Sequence, residues 1–350
     1  MAPIQKSHLY QEIHQQPEVI RQLVSQPQEA IIALADQIRS QEIKQVYIAA
    51  RGTSDNAGRY AQYILGAYNH LMVSLATPSL FTIYTQPPDL SNTLVLGISQ
   101  SGKSPDIVSV LAEGKRQGAL TAAITNHPES NLGRAADLVV NLHAGDEKSL
   151  AATKTYTSQL ACLAILSAEL GSSEESRAKL NELPQHVEKV FELEDYVHNL
   201  AERYRYMSHC VVIGRGFNYA TAFEFSLKLK ELTYTIAEPY SSADFLHGPV
   251  ALVDRGFPAF VIAPSGKMIP EMKSLVREVR DRHAEVIMLS DHQDLLKATR
   301  HALALPTGVP EWLSPITAII PAQMFAMYLA NTRGIDVDHL RGLSKVTETW

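Results

Sequence analysis

The chain has 350 residues, 45% of them hydrophobic and 19% charged, which allows a full core and, at roughly 100–200 residues per domain, two domains. A formal charge of −6 and a pI near 6.1 speak against a basic surface for nucleic acid. The two cysteines, Cys162 and Cys210, each sit inside an apolar run, so buried reduced thiols and a cytoplasmic location are expected.

The first residues, Met1-Ala2-Pro3-Ile4-Gln5-Lys6, lack the apolar stretch of a signal peptide. Residues 7–45 predict amphipathic helices, with Ile20, Leu23, Ile31, Leu34 and Ile38 at roughly helical spacing. A strand–turn–helix unit follows: Gln45–Ala50 as strand, Arg51-Gly52-Thr53-Ser54-Asp55-Asn56 as turn, and Ala57, Tyr60, Ala61, Ile64 and Leu65 on the core face of a helix. Further strands are predicted near 72–75, 93–98, 120–124 and 138–142, each short and apolar on both faces, as buried parallel strands are. Residues 171–199 are polar and read as a helical connector.

The same grammar then returns. Cys210–Gly214 is a strand, Arg215-Gly216-Phe217-Asn218 its turn, and Ala222, Phe225, Leu229 and Leu232 the core face of a helix, with strands near 259–262 and 285–289. Trp312–Ala330 imitates a membrane span, but Ser314, Pro315, Thr317, Pro321 and Gln323 predict a buried helix instead, so no membrane is expected. The domain-sized repeat predicts an α/β fold with two tandem doubly wound, flavodoxin-like parallel sheets. The expected segments are an N-terminal helical stretch (1–35), a first domain (36–170), the connector (171–199), a second domain (200–334) and a C-terminal tail (335–350). Ligands of such sheets sit beyond the carboxyl ends of the strands.

Ser99-Gln100-Ser101-Gly102-Lys103-Ser104 follows a buried strand and precedes a helix. Hydroxyls, an amide and a glycine at a helix N-terminus suit a phosphate, and an ordinary N-cap is the alternative. Residues 97–104 also satisfy the Walker A pattern, yet the nearest acidic imitation, Asp291, lies in the second domain. The 51–56 turn and the cluster Glu147-Lys148-Ser149-Leu150-Ala151-Ala152-Thr153-Lys154-Thr155 lie at carboxyl ends of the same sheet. In the second domain, Glu224, Lys228 and Glu231 recur at i, i+4 and i+7 beside the apolar face. A surface salt-bridge ladder explains such a stripe; acid–base chemistry would need Glu231 partly buried. His247-Gly248-Pro249 marks an irregular turn, and Lys345 in the polar tail is either solvated or an amine nucleophile.

Taken in order, Gly-Thr-Ser (52–54), Ser-Gln-Ser-Gly (99–102), Ala-Thr-Lys (152–154), Leu-Lys-Leu-Lys-Glu (227–231) with His-Gly-Pro (247–249), and Leu-Ser-Lys (343–345) resemble the sugar isomerase (SIS) domain pair of glucosamine-6-phosphate synthase and its deaminase-like relatives. The resemblance implies a phosphosugar isomerase or amino-sugar-phosphate deaminase, with no metal and no cofactor. It implies that Ser54, Ser99, Gln100, Ser101 and Ser104 hold the substrate phosphate, and that Gly52, Thr53, Leu150, Ala151 and Ala152 border the sugar. Glu231 would move a proton between C1 and C2, Lys228 would assist, His247 would open the ring from the neighbouring subunit of a homodimer, and Lys345 would form a Schiff base. Synthases carry an N-terminal glutaminase domain with a cysteine after the initiator methionine; Ala2 stands there in this chain, so glutamine-fed synthesis is not expected. Arg51, Lys103 and Ala152 also depart from the synthase pattern. A fructosamine-6-phosphate deglycase and a non-catalytic sugar-phosphate regulator remain open alternatives.

Overall fold

The computed structural model describes residues 3–26 and 28–345; Ala2 and the tail beyond Lys345, both invoked above, lie outside the described residues. The chain divides into two compact units. One holds residues 18–147 and 154–182 with the tail from Ser344, and the other holds residues 1–17, 148–153 and 183–343.

The first unit is built on β1 (Gln45–Ala49), β2 (Met72–Leu75), β3 (Thr93–Ser99), β4 (Leu120–Thr125) and β5 (Leu138–Asn141). They lie in the order β2-β1-β3-β4-β5, all parallel, with Ile48 opposite both Leu75 and Leu96 and Ile124 opposite Val140. The central strands β3 and β4 are buried almost throughout, which is why they read as unbroken apolar runs. One face of the sheet packs Val95 and Ala123 against Ile107, Val110 and Leu111 of the helix Pro105–Arg116. Burying side chains of this kind stabilises by about 1.5–3 kcal/mol each.

The second unit repeats the plan with β6 (His209–Gly214), β7 (Ile236–Ser241), β8 (Pro258–Ile262), β9 (Glu285–Ser290) and β10 (His301–Ala304) in the parallel order β10-β9-β8-β6-β7. In both sheets the first strand is flanked by the second and third. The loops after the first and third strands therefore flank the switch point, where such folds bind ligands.

The strands β7 and β10 were not anticipated. Both are edge strands, and β7 carries Glu238 and Pro239, which an edge tolerates because one side of the ladder needs no partner. The connector is helical as expected, Glu174–Val190 and Glu194–Arg203 joined by a short turn. The apolar stretch near the end is the helix Ser314–Thr332, buried from Ser314 to Ala330. Its polar groups find protein partners: Thr317 donates to the Ser314 carbonyl at 3.1 Å, and the Gln323 amide donates to the Thr153 carbonyl at 3.5 Å. Among the described residues no helix is long and apolar enough to cross a membrane.

Both cysteines are buried free thiols. Burial pushes the Cys162 thiol up to about 12, and burial also raises Cys210. Because the thiolate is the reactive form, a disulfide-exchange reagent at pH 8 is expected to titrate neither cysteine in the native protein and both after denaturation. Fast labelling of the native protein would contradict this burial.

Candidate active site

Strand β3 delivers the chain into the 99–104 loop at its carboxyl end. Gly102 turns the loop with φ +63°, and a Cβ there would meet Ser130 Oγ at 2.0 Å, so glycine is required. The Gly102 N–H donates to Ser99 Oγ at 3.1 Å, and the Lys103 N–H donates to Ser101 Oγ at 3.4 Å. The Gln100 carbonyl accepts the Asn126 N–H at 3.2 Å, and the Gly102 carbonyl accepts the Leu132 N–H at 3.0 Å. Ser99 and Ser101 thus act as acceptors towards the backbone, and each hydroxyl keeps its one hydrogen to give elsewhere. Ser104 occupies the N-cap of the helix Pro105–Arg116, yet its side chain makes no capping hydrogen bond. The simple cap explanation is not realised. Lys103 is exposed, and Asp291 is occupied in the other unit, accepting the Ser265 N–H at 2.6 Å.

At the end of β1, Gly52 adopts φ +53° and the helix Thr53–Asn69 begins. Ser54, buried in its first turn, accepts a hydrogen bond at 3.0 Å from the amide of Gln159 on the helix Lys154–Gly171. Arg51 Nε donates to Asp106 Oδ2 at 2.8 Å. The Asp106 carboxylate is fully buried and also accepts the Ile107 N–H at 2.9 Å. Arg51 therefore ties the turn after β1 to the start of the helix that follows the serine loop.

After β5, Glu147 is fully buried. Its carboxylate accepts the Thr155 N–H at 3.1 Å and the Thr155 hydroxyl at 2.7 Å, and it pairs with Lys345 Nζ at 3.3 Å. The tail lysine is therefore held against a carboxylate rather than loose in solvent.

In the other unit, the 148–153 segment is pinned by the buried carboxylate of Glu12, which accepts the N–H groups of Lys148 and Ser149. Ser149 donates to the Ala151 carbonyl at 2.8 Å. Ala151 is buried, while Leu150 and Ala152 are half-buried. On the helix Tyr219–Thr233, the Glu224–Lys228–Glu231 stripe is not a surface ladder. Glu224 and Lys228 are completely buried, and Lys228 Nζ lies 3.4 Å from Glu224 Oε1 and 2.6 Å from Glu231 Oε2. Burial alone would lower the Lys228 pKa; the two carboxylates outweigh it and hold the ammonium above its ordinary range. The Glu231 side chain retains about a quarter of its exposure, so one charged group of the three reaches solvent or a ligand. His247 follows the short helix Ser242–Leu246 on an exposed turn, where Gly248 adopts φ +142°.

Ser54, the serine loop and Lys345 belong to one unit, and Leu150–Ala152, Lys228, Glu231 and His247 to the other. Gln159, Asp106 and Glu12 complete these groups and were not singled out from sequence. Glu147 heads the 147–155 cluster and Glu224 begins the charged stripe, so both were named there, but neither was given a role. Among the described residues no cluster of His, Cys, Asp and Glu could hold a metal ion.

The SIS domain profile matches residues 40–168 and again 205–333, one match over each five-stranded sheet. A glutamine–fructose-6-phosphate aminotransferase (isomerizing) from Thermus thermophilus is 34% identical over 352 residues, covering 97% of this chain and 58% of that protein. The chain thus spans a little over half the length of the curated relatives it matches. The C-terminal domain of glucosamine-fructose-6-phosphate aminotransferase from Francisella tularensis superposes with a TM-score of 0.86 at 29% identity, covering 95% of this chain and 98% of that one. Glucosamine-6-phosphate deaminase from Thermotoga maritima, at 21% identity, shares the fold with a TM-score of 0.78 over 98% of this chain and 100% of that one. With two profile matches that take in both parallel sheets, the chain belongs to the SIS-domain family and carries the domain twice.

Proposed function

We propose that the protein is a phosphosugar isomerase acting on an amino-sugar or keto-hexose 6-phosphate, with the hydrolytic deamination of glucosamine 6-phosphate to fructose 6-phosphate and ammonia as its reaction. The observation that carries this reading is the buried Glu224–Lys228–Glu231 group. Each ion taken out of water meets a desolvation penalty of several kcal/mol, and an apolar core would be as stable or more so. A sugar-phosphate sensor needs the serine loop but has no use for such a group; an acid–base catalyst does. The names of the aminotransferase and deaminase relatives support the substrate class.

In this reading Ser54, Ser99, Gln100, Ser101 and Ser104 donate to the phosphate, with Gly52, Thr53, Leu150, Ala151 and Ala152 lining the sugar. Glu231 carries the proton between C1 and C2. Lys228, hydrogen-bonded to its Oε2, fixes the rotamer and leaves Oε1 to take the proton. His247 opens the sugar ring. Proton transfer from C2 to C1 turns the amino aldose into a C2 imine. Lys345, its proton passed to Glu147, adds to that imine as a neutral amine, ammonia leaves, and water then hydrolyses the lysine imine to free fructose 6-phosphate and the amine. We also propose a cytoplasmic homodimer in which His247 serves the partner's site. The exposed apolar side chains flanking that turn, Leu246 at 44% and Leu252 at 53%, suit an interface.

Purified protein supplied with glucosamine 6-phosphate is expected to release ammonia and fructose 6-phosphate in equal amounts. Glu231→Gln should lower kcat by about 10²–10⁴-fold, the usual contribution of a positioned acid–base group. Binding without turnover in the unsubstituted protein would sink the enzyme reading. For the dimer, Glu231→Gln and His247→Ala subunits, each inactive alone, should regain roughly a quarter of full activity after mixing and exchange, because half the dimers would hold one intact site. Failure to complement, with exchange verified, would place His247 in its own subunit's site. Lys228→Met should destabilise the fold by about 3–5 kcal/mol in denaturant titration, since Glu224 is left buried without its counter-ion, and adding Glu224→Gln should recover part of that loss.

A further inference from the structure

Gln159 lies on the helix Lys154–Gly171 among buried neighbours, including Leu160, Cys162 and Leu163, and is itself 1% exposed. Its amide has two polar ends. Nε2 donates to Ser54 Oγ at 3.0 Å, while Oε1 is buried without a hydrogen-bond partner among the described residues. An unpaired buried carbonyl carries a desolvation penalty that methionine or leucine in the same space would not. Stability therefore gives no account of a glutamine here; its one satisfied contact is with Ser54.

That contact has a directional consequence. A hydroxyl owns a single hydrogen and two lone pairs. With one lone pair of Ser54 taken by the Gln159 N–H, its hydrogen remains to be donated in another direction. Ser54 sits in the first turn of the helix Thr53–Asn69, two residues after the φ-positive Gly52, at the positive end of the helix dipole. We infer that Gln159 is a positioning residue that holds the Ser54 hydroxyl as a donor to the substrate phosphate. The inference rests on the proposed role of Ser54 as a phosphate ligand.

Calorimetric titration with fructose 6-phosphate separates the two. Ser54→Ala should weaken binding about tenfold and Gln159→Met about fivefold, the range of one hydrogen bond to a charged group and of one neutral bond that orients it. In the Ser54→Ala background, Gln159→Met should cause no further loss, because the glutamine acts only through that hydroxyl. The melting temperature of Gln159→Met should equal or exceed that of the unsubstituted protein. Gln159→Asn, which keeps the amide but shortens its reach, should reproduce the affinity loss if the methionine variant folds poorly. Unchanged binding by Gln159→Met and Gln159→Asn, or a full additional loss on top of Ser54→Ala, would overturn the positioning role. Unchanged binding by Ser54→Ala would instead overturn the phosphate assignment beneath it.

Discussion

Parallel strands covered on both faces leave little room for polar side chains along their length. In β3 and β4 the backbone is satisfied by neighbouring strands and the side chains face helices on either side. Polar chemistry is displaced to where the strands end, and the order β2-β1-β3-β4-β5 places the ends of β1 and β3 next to each other. The Gly52–Ser54 turn and the serine loop are neighbours because of this topology, not because of any attraction between them. Polar groups that lie deeper are held by built partners: Asp106 by Arg51 and the Ile107 N–H, Glu147 by Thr155 and Lys345, Ser54 by Gln159.

The second unit solves a different problem with the same plan. Its helix after β6 buries an ammonium group completely, which is tolerable only with carboxylates within hydrogen-bond reach. Glu224 supplies one at full burial, and Glu231 supplies one that keeps some exposure. The pair is asymmetric, so the two carboxylates can do different work: the first neutralises Lys228, and the second, held at 2.6 Å, remains within reach of a ligand. Removing the inner carboxylate would strand a charge at full burial.

The sequence-to-structure path was legible where a pattern had one physical cause. Short apolar runs pointed to eight of the ten strands among the described residues, the edge strands β2 and β5 included. Glu238 and Pro239 break the run in β7, and β10 has four residues with one buried position; edge places tolerate both. The Glu224–Lys228–Glu231 spacing has two causes that look alike in sequence, a solvated ladder and a buried ion group, and only packing separates them. The pairings of Glu12 with Lys148, Glu147 with Lys345 and Gln159 with Ser54 were illegible for another reason. They close over 136, 198 and 105 residues of chain, and no local pattern encodes such separations.

One scheme runs through the proposed phosphate ligands. Ser99 accepts from the Gly102 N–H, Ser101 from the Lys103 N–H and Ser54 from the Gln159 amide. In each case a fixed donor occupies a lone pair, so the hydroxyl hydrogens are left as donors. A cluster of hydroxyls without that arrangement could satisfy itself by pairing donor to acceptor, and would have nothing to offer an anion. The nearby cations do not substitute for it: Lys103 is exposed, and Arg51 is engaged by Asp106. On the proposed reading, a phosphate is then selected by the direction of three hydroxyls rather than by charge, and the departures at Arg51 and Lys103 leave that selection intact.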